Sequence, residues 1–229
     1  MTDDAAPAGA QPVPGLRERL RATPSFAPAA PAFDPSTAPP TPGDLFREWI
    51  TEALDAGAPA PQAAVLSTAA PQGDVTARVL VLKDVVGDSW LFATERTSPK
   101  ARTLDANPVA ALTFFWPTRA RQVKVSGPVR DLGPDVAAAD FLARAPQSRA
   151  SSLVGHQSED LASTGDLQAA YDDALERVSV DRALVDPAWA VCTLDATAVE
   201  FWQTAPGRSA TRWSYRRTGE GWSAGLLWP

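Results

Sequence analysis

The spacing of apolar residues changes along the chain from a helical to a strand-like pattern. Leu45, Trp49, Ile50 and Leu54 fall on one face at helical spacing, which predicts an amphipathic helix that ends at Gly57. From residue 62 onward, the apolar residues form short β-rich runs separated by turn residues. The predicted strands cover residues 63–69, 75–85, 89–94, 109–117, 121–132, 188–203, 211–218 and 221–228.

Helices are also predicted between these strands. Pro99 suits the first position of a short helix, and Asn107 followed by Pro108 ends that helix. Residues 134–178 form a second, longer helical region. Several antiparallel strands interrupted by helices are typical of an α+β domain built on a closed β-barrel.

The first 43 residues differ from the rest in composition. They are dominated by Ala and Pro and lack the periodic apolar residues that offset the entropy of chain ordering. Residues 1–43 are therefore predicted to be a disordered or extended tail, or to be draped over the domain, with a short helix possible at 16–20. The folded domain is predicted to cover residues 44–229.

Composition and charge exclude some classes of protein. Hydrophobic residues make up 45% of the chain and charged residues 21%, as in ordinary globular proteins. The net charge of −6 argues against nucleic acid as the main partner. No apolar run is long enough to span a bilayer, and the first residues do not resemble a secretory signal. A cytoplasmic location without membrane contact is expected.

The chain holds one cysteine and one histidine, which limits the available chemistry. Cys192 lies in an apolar run and is predicted to be a buried small hydrophobic residue. With His156 as the single histidine, a histidine-rich metal site is excluded, and no metal is expected. A Ser-His-Asp triad would depend on this one residue.

Several basic residues occupy positions that either solubility or ligand binding could explain. Arg78 and Lys83 flank a wholly apolar strand segment, as charged residues that limit aggregation also do. Gln122 belongs to a polar row that could be the solvated face of a sheet. Lys100 lies in the first turn of a predicted helix, where a cation opposes the helix dipole and an anion bound at the N-terminus would explain its position.

In their order along the chain, these segments resemble the pyridoxamine 5'-phosphate oxidase family. The matching residues are RVLVLK at 78–83, LFATERTSPK at 91–100, the segment 107–127 that contains RQVKVSG, GHQS at 155–158, and EFWQ followed by R-x-x-x-R within 200–212. The resemblance runs from about residue 45 to residue 229. It implies an α+β FMN-binding split β-barrel with flanking helices, which forms a homodimer with one FMN in each of two clefts between the subunits.

The resemblance also implies a set of FMN-binding residues. Arg78 and Lys100 correspond to ligands of the FMN phosphate, and Gln122 to a residue that hydrogen-bonds the flavin. Lys83, Thr94 and Ser98 are assigned to the cofactor site as well, and Gln157, Ser158, Trp202 and Arg212 would contribute from the partner chain.

The residues that would bind substrate match the family less completely. Lys83, Arg144 and Ser148 match residues that hold the substrate phosphate, but Asp140 stands where the family has a tyrosine. The carboxylate of Asp140 would repel a phosphate. Arg208 would lie over the reacting carbon and is the candidate catalytic residue.

A histidine of the family is replaced by Ala210, and this second departure leaves three functions open. The first is oxidation of pyridoxine or pyridoxamine 5'-phosphate to pyridoxal 5'-phosphate, with O₂ reduced to H₂O₂. The second is a diverged flavin oxidase that acts on another metabolite, as the phenazine-biosynthesis oxidases of this fold do. The third is a flavin-binding protein without turnover.

Overall fold

The computed structural model describes residues 15–23, 26, 32–204 and 209–229. Nine strands in these ranges form one antiparallel sheet. Their bounds are β1 Ala63–Ala69, β2 Val75–Val86, β3 Ser89–Glu95, β4 Val109–Trp116, β5 Arg121–Asp131, β6 Trp189–Asp195, β7 Ala198–Gln203, β8 Thr211–Thr218 and β9 Gly221–Leu226.

Six of these strands close into a barrel. The order β4-β1-β2-β3-β6-β5 returns to its start because β4 also pairs with β5. Strand β5 pairs with β6 through residues 129–131 and with β7 through residues 121–126, so the sheet divides along β5. Strands β7, β8 and β9 extend from that division. The predicted α+β split barrel is confirmed.

The helices lie between and beside the strands. Their bounds are α1 Leu16–Ala22, α2 Pro42–Asp55, α3 Pro99–Ala106, α4 Pro134–Leu142, α5 Pro146–Leu153 and α6 Thr164–Val180. Pro99 is the first residue of α3 and Asn107 its C-cap, as predicted. Among the described residues, no helix is long and apolar enough to cross a membrane.

Helix α2 contributes a large part of the barrel core. Leu45 and Trp49 are buried as predicted, but Leu54 is 56% exposed, so its assignment to the buried face is wrong. The buried face is centred instead on Phe46, which is fully buried. Its ring packs against the aromatic rings of Trp90, Phe114 and Trp116, with centroid distances of 5.4, 4.8 and 6.0 Å.

Part of the N-terminal segment lies against the barrel. The ring of Phe33 packs edge-on against Trp49 at 5.4 Å, and the hydroxyl of Tyr215 donates a hydrogen bond to the carbonyl of Pro39 at 2.7 Å. The short helix expected at 16–20 is present as α1. The other parts of the predicted tail, 1–14, 24–25 and 27–31, lie outside the described residues.

One face of β2 departs from the sequence-based expectation. The segment between Arg78 and Lys83 is wholly apolar, a pattern typical of strands buried on both faces, yet Val79 is 69% and Val81 53% exposed in the single chain. Val65 and Phe115, on neighbouring strands, are exposed as well. These four residues form an apolar strip on the outside of the barrel, which a second subunit can cover.

Gly127 allows two strands to cross closely, and its replacement should destabilise the barrel. A Cβ atom at this position would overlap the carbonyl oxygen of Asp195, which belongs to the backbone. We expect Gly127→Ala to lower the free energy of unfolding by about 1–3 kcal/mol, as overpacking does elsewhere. Urea unfolding followed by fluorescence measures this change. Gly219→Ala is the matched control because its Cβ would meet no atom, and equal effects of the two substitutions would contradict the expectation.

Candidate active site

Arg78 occupies a partly buried position inside one end of the barrel. Its guanidinium donates hydrogen bonds to the hydroxyls of Thr68 and Thr76, at 2.9 and 2.5 Å, and to the carbonyl of Leu66 at 3.2 Å. Burial lowers the pKa of Arg78, although an arginine remains charged at neutral pH. A fixed cation is therefore held on β2, oriented by the backbone and hydroxyls of β1 and β2.

Helix α3 begins beside this cation. Ser98 is its N-cap: the hydroxyl accepts a hydrogen bond from the amide of Ala101 at 3.3 Å and donates one to the carbonyl of Glu95 at 2.7 Å. The hydroxyls of Thr94 and Ser98 lie 3.2 Å apart, and both residues are buried. These two predicted cofactor residues thus stabilise the start of the helix. To hydrogen-bond a ligand directly, the Ser98 hydroxyl would have to give up one of its hydrogen bonds within the protein.

Lys100 is the second cation at this end of the barrel. Burial is the main cause that lowers the pKa of Lys100, the nearby Arg78 lowers it further, and Glu95 opposes both. Its ammonium donates to the side-chain oxygen of Gln157 at 2.6 Å. Gln157 was expected to act from the partner chain, but this contact is made within one chain.

The loop that carries Gln157 is held in an unusual backbone conformation. His156 and Ser158, on either side of it, have φ angles of +57° and +71°. Residues other than glycine adopt this left-handed region at a cost, and such strain is frequent at functional sites. Ser158 follows Gln157, the residue that contacts Lys100, while the side chain of His156 is exposed and pairs with Glu159 at 2.8 Å.

A second group of predicted residues forms a row across three strands. Gln122 on β5 lies opposite Trp202 on β7, which lies opposite Arg212 on β8. Arg212 is oriented by Glu200, whose carboxylate accepts from it at 2.9 Å. The ring of Phe26, from the N-terminal segment, lies 5.5 Å from that of Trp202. The three residues are neighbours in one chain, and their division between two subunits stays a prediction.

The third group surrounds a cavity of about 400 Å³, here named the substrate pocket. It is lined, among others, by three residues that the resemblance assigns to substrate binding, Lys83, Arg144 and Ser148. The Arg144 guanidinium donates to the carbonyl of Ser148 at 2.7 Å and to the hydroxyl of Ser152 at 2.8 Å. It lies 4.0 Å above the ring of Trp189, a residue that sequence reasoning missed.

Asp140 reaches the edge of this pocket from α4. One of its carboxylate oxygens lies 2.9 Å from the Lys83 ammonium, and the other accepts a hydrogen bond from the Trp189 indole at 2.9 Å. The departure from the family pattern at this position thus forms an ion pair with one of the cations assigned to the substrate phosphate. Arg208, the predicted catalytic residue, lies outside the described residues.

Cys192 has no part in this site. It is buried on β6, and burial raises the pKa of its thiol to about 12. A thiol in such surroundings is inert as a nucleophile at neutral pH. The expectation of a buried cysteine is confirmed.

Comparisons with known proteins match the chain to one family. The family model described as "Pyridoxamine 5'-phosphate oxidase" matches residues 50–177, and the one described as "Pyridoxine 5'-phosphate oxidase C-terminal dimerisation region" matches residues 189–229. A pyridoxine/pyridoxamine 5'-phosphate oxidase of Anaeromyxobacter dehalogenans is 36% identical over 195 residues, which cover 85% of this chain and 98% of the relative. One of Nocardioides sp. is 36% identical over 197 residues, covering 86% and 92%.

Solved structures show the same fold. PhzG from Burkholderia lata 383, in complex with tetrahydrophenazine-1-carboxylic acid, superimposes with a TM-score of 0.82 at 26% identity, covering 88% of this chain and 100% of that one. An FMN-binding protein of Nostoc punctiforme is 20% identical and superimposes with a TM-score of 0.66, and the match covers 80% of this chain and 97% of that one.

The closed six-stranded barrel with its extension from β5 is a split barrel, the matched dimerisation region indicates a homodimer, and the family match makes the protein an oxidoreductase. More closely, the chain belongs to the pyridoxamine 5'-phosphate oxidase family.

Proposed function

We propose that this protein is an FMN-dependent oxidase. The observation that carries the proposal is the pair of partly buried cations, Arg78 and Lys100, beside the N-terminus of α3. Two neighbouring cations repel each other, and a dianionic phosphate between them would remove that repulsion while it accepted their hydrogen bonds. The residues present therefore fit the phosphate end of FMN.

The remaining predicted residues would hold the other parts of the cofactor. Gln157 and Ser158 would complete the phosphate site, and the row of Gln122, Trp202 and Arg212 would bind the polar edge and one side of the flavin ring. When bound, FMN would accept a hydride from the substrate and return the electrons to O₂, which gives H₂O₂. The protein's contribution is to orient the substrate and to exclude water from it.

The substrate pocket supports a substrate with an anionic group. Lys83, Arg144 and Ser148 surround it, and the named relatives oxidise pyridoxine or pyridoxamine 5'-phosphate, which makes these compounds the first candidates. Arg208, by resemblance, would position the reacting carbon or hold a proton near it. Oxidation of another metabolite is the second candidate, favoured by the ion pair of Asp140 with Lys83 and by the likeness to PhzG.

The purified protein should be yellow, with the visible absorption of bound FMN. Addition of pyridoxine 5'-phosphate without oxygen should bleach that absorption, and admission of air should restore it with release of peroxide. A protein that is colourless and takes up no FMN would refute the proposal. Yellow protein that is not bleached by this compound would remove the first substrate candidate and leave the second.

A further inference from the structure

The charges around the substrate pocket are of both signs, and its lysine is already paired. The ammonium of Lys83 is bound by Asp140 at 2.9 Å, and both oxygens of that carboxylate are in contact with groups of its own chain. An anion that entered the pocket would have to displace Asp140 from Lys83 or remain close to its negative charge. Lys83 is therefore already paired and is not a free cation available to a phosphate.

Arg144 is surrounded by carboxylates as well. Glu95 and Asp186, besides Asp140, lie close enough to act on its charge, and Arg149 is the cation that opposes them. Burial and the neighbouring Asp186 raise the pKa of Glu95, whose Oε2 is buried and has no hydrogen-bond partner among the described residues. Three carboxylates, Asp140, Glu95 and Asp186, therefore lie among the cations in and around the pocket, and Lys100 also acts on Glu95.

Arg144 nevertheless keeps donors for one planar anion. Of its five N–H groups, hydrogen bonds to Ser148 and Ser152 engage two. The ring of Trp189 beneath the guanidinium fixes its plane. A guanidinium with a fixed plane binds a carboxylate through two parallel hydrogen bonds.

We infer that the substrate pocket, through the Lys83–Asp140 ion pair, selects a substrate that carries a single carboxylate there in preference to a phosphate dianion, with Asp140 as the specificity-determining residue. The inference rests on the proposed function in one respect, that this pocket receives the substrate. Attraction and repulsion both scale with the charge of the ligand, but Asp140 offsets Lys83, so the second charge of a dianion gains no net attraction from that pair. Only the monoanion can be matched by Arg144 alone.

The test uses the full chain in its FMN-loaded form and two probes that share a phenyl ring, benzoate and phenyl phosphate. Calorimetric titrations are made at about pH 8, above the second ionisation of a phosphate ester at about 6, so that phenyl phosphate is a dianion. We expect benzoate to bind the unmodified protein at least about threefold more tightly than phenyl phosphate. The reverse order would overturn the inference without any variant being needed.

The variant Asp140→Asn then tests the contribution of the Asp140 charge to this selectivity. The amide can still accept from Trp189, but it releases the charge of Lys83. Phenyl phosphate should bind this variant about tenfold more tightly than the unmodified protein, a change of one decade in Kd, and benzoate should gain less. An unchanged ratio of the two affinities would contradict the role of Asp140.

Asp74→Asn is the matched control, because Asp74 is an exposed residue of the β1–β2 turn that contacts Gln72. It removes the same charge far from the pocket, so an equal gain in this variant would assign the effect to net charge and overturn the inference. The visible spectrum of each sample reports FMN independently. A colourless protein would refute the proposed cofactor, whereas the order of the two probes would still report the selectivity of the pocket.

Discussion

Replacement of Arg78 by alanine should weaken FMN binding about a hundredfold. Hydrogen bonds to a charged group contribute about 1.5–3 kcal/mol each, and Arg78 is one of two cations at the proposed phosphate site. Lys100 would remain, so binding should be weakened and not abolished. The dissociation constant of the FMN-free protein, measured by quenching of flavin fluorescence, tests this expectation.

Two further variants separate a binding role of Arg78 from a structural one. Arg78→Lys keeps the charge but loses the fork of donors, so its affinity should lie between those of the unmodified protein and the alanine variant. Arg177→Ala removes a cation from the exposed face of α6, where its partner Asp173 is 3.8 Å away, and should leave FMN affinity unchanged. Arg78 also bonds Thr68 and Thr76, so thermal unfolding of each FMN-free variant is needed. Unchanged affinity in Arg78→Ala would exclude it from the phosphate site.

The strands could be predicted closely because turn residues mark their ends. The runs at 63–69 and 211–218 match β1 and β8 residue for residue. The long predicted strand at 188–203 is divided in the structure into β6 and β7, which pair with different parts of β5. The sequence pattern shows that both are extended, but which strand pairs with which depends on contacts far apart in the chain.

Burial was predicted less well than secondary structure. Val79 and Val81 are as apolar as core residues, and a single sequence does not distinguish a core from a surface that a second subunit covers. On α2, helical periodicity gave the approximate direction of the buried face, yet it included Leu54 and omitted Phe46. The centre of that face is set by the aromatic side chains of the barrel that pack against it. The spacing of residues within α2 gives no information about where those side chains lie.

The resemblance names the candidate site residues one by one, but it does not say which of them contact each other. The resemblance marked Asp140 as a departure that would repel a phosphate. The structure shows that this carboxylate is neutralised by Lys83, 57 residues earlier, and held by Trp189. Neither partner lies near Asp140 in sequence, so only the closure of the barrel against α4 brings the three together. The same limit applies to Gln157 and Lys100, which belong to segments far apart in the chain.

Replacement of Phe46 by alanine should have the largest effect on stability. Its ring is fully buried among Trp90, Phe114 and Trp116, and removal of a buried phenyl ring costs about 3–5 kcal/mol, because the cavity collapses only in part. For a chain of this size, each kcal/mol lowers Tm by about 2–4 °C, so a decrease of about 10 °C is expected. Thermal unfolding followed by circular dichroism, on FMN-free protein, measures it.

Leu54→Ala on the same helix is the control for loss of helical propensity or of surface contacts. Because Leu54 is 56% exposed, its replacement should change the free energy of unfolding by less than about 1 kcal/mol. An equal decrease in the free energy of unfolding of the two variants would show that Phe46 does not hold α2 against the barrel. The measurement must exclude FMN because a bound ligand stabilises the folded state by an amount that depends on its concentration. With that term removed, the difference between the two variants reports how much of the barrel's stability depends on the aromatic cluster around Phe46.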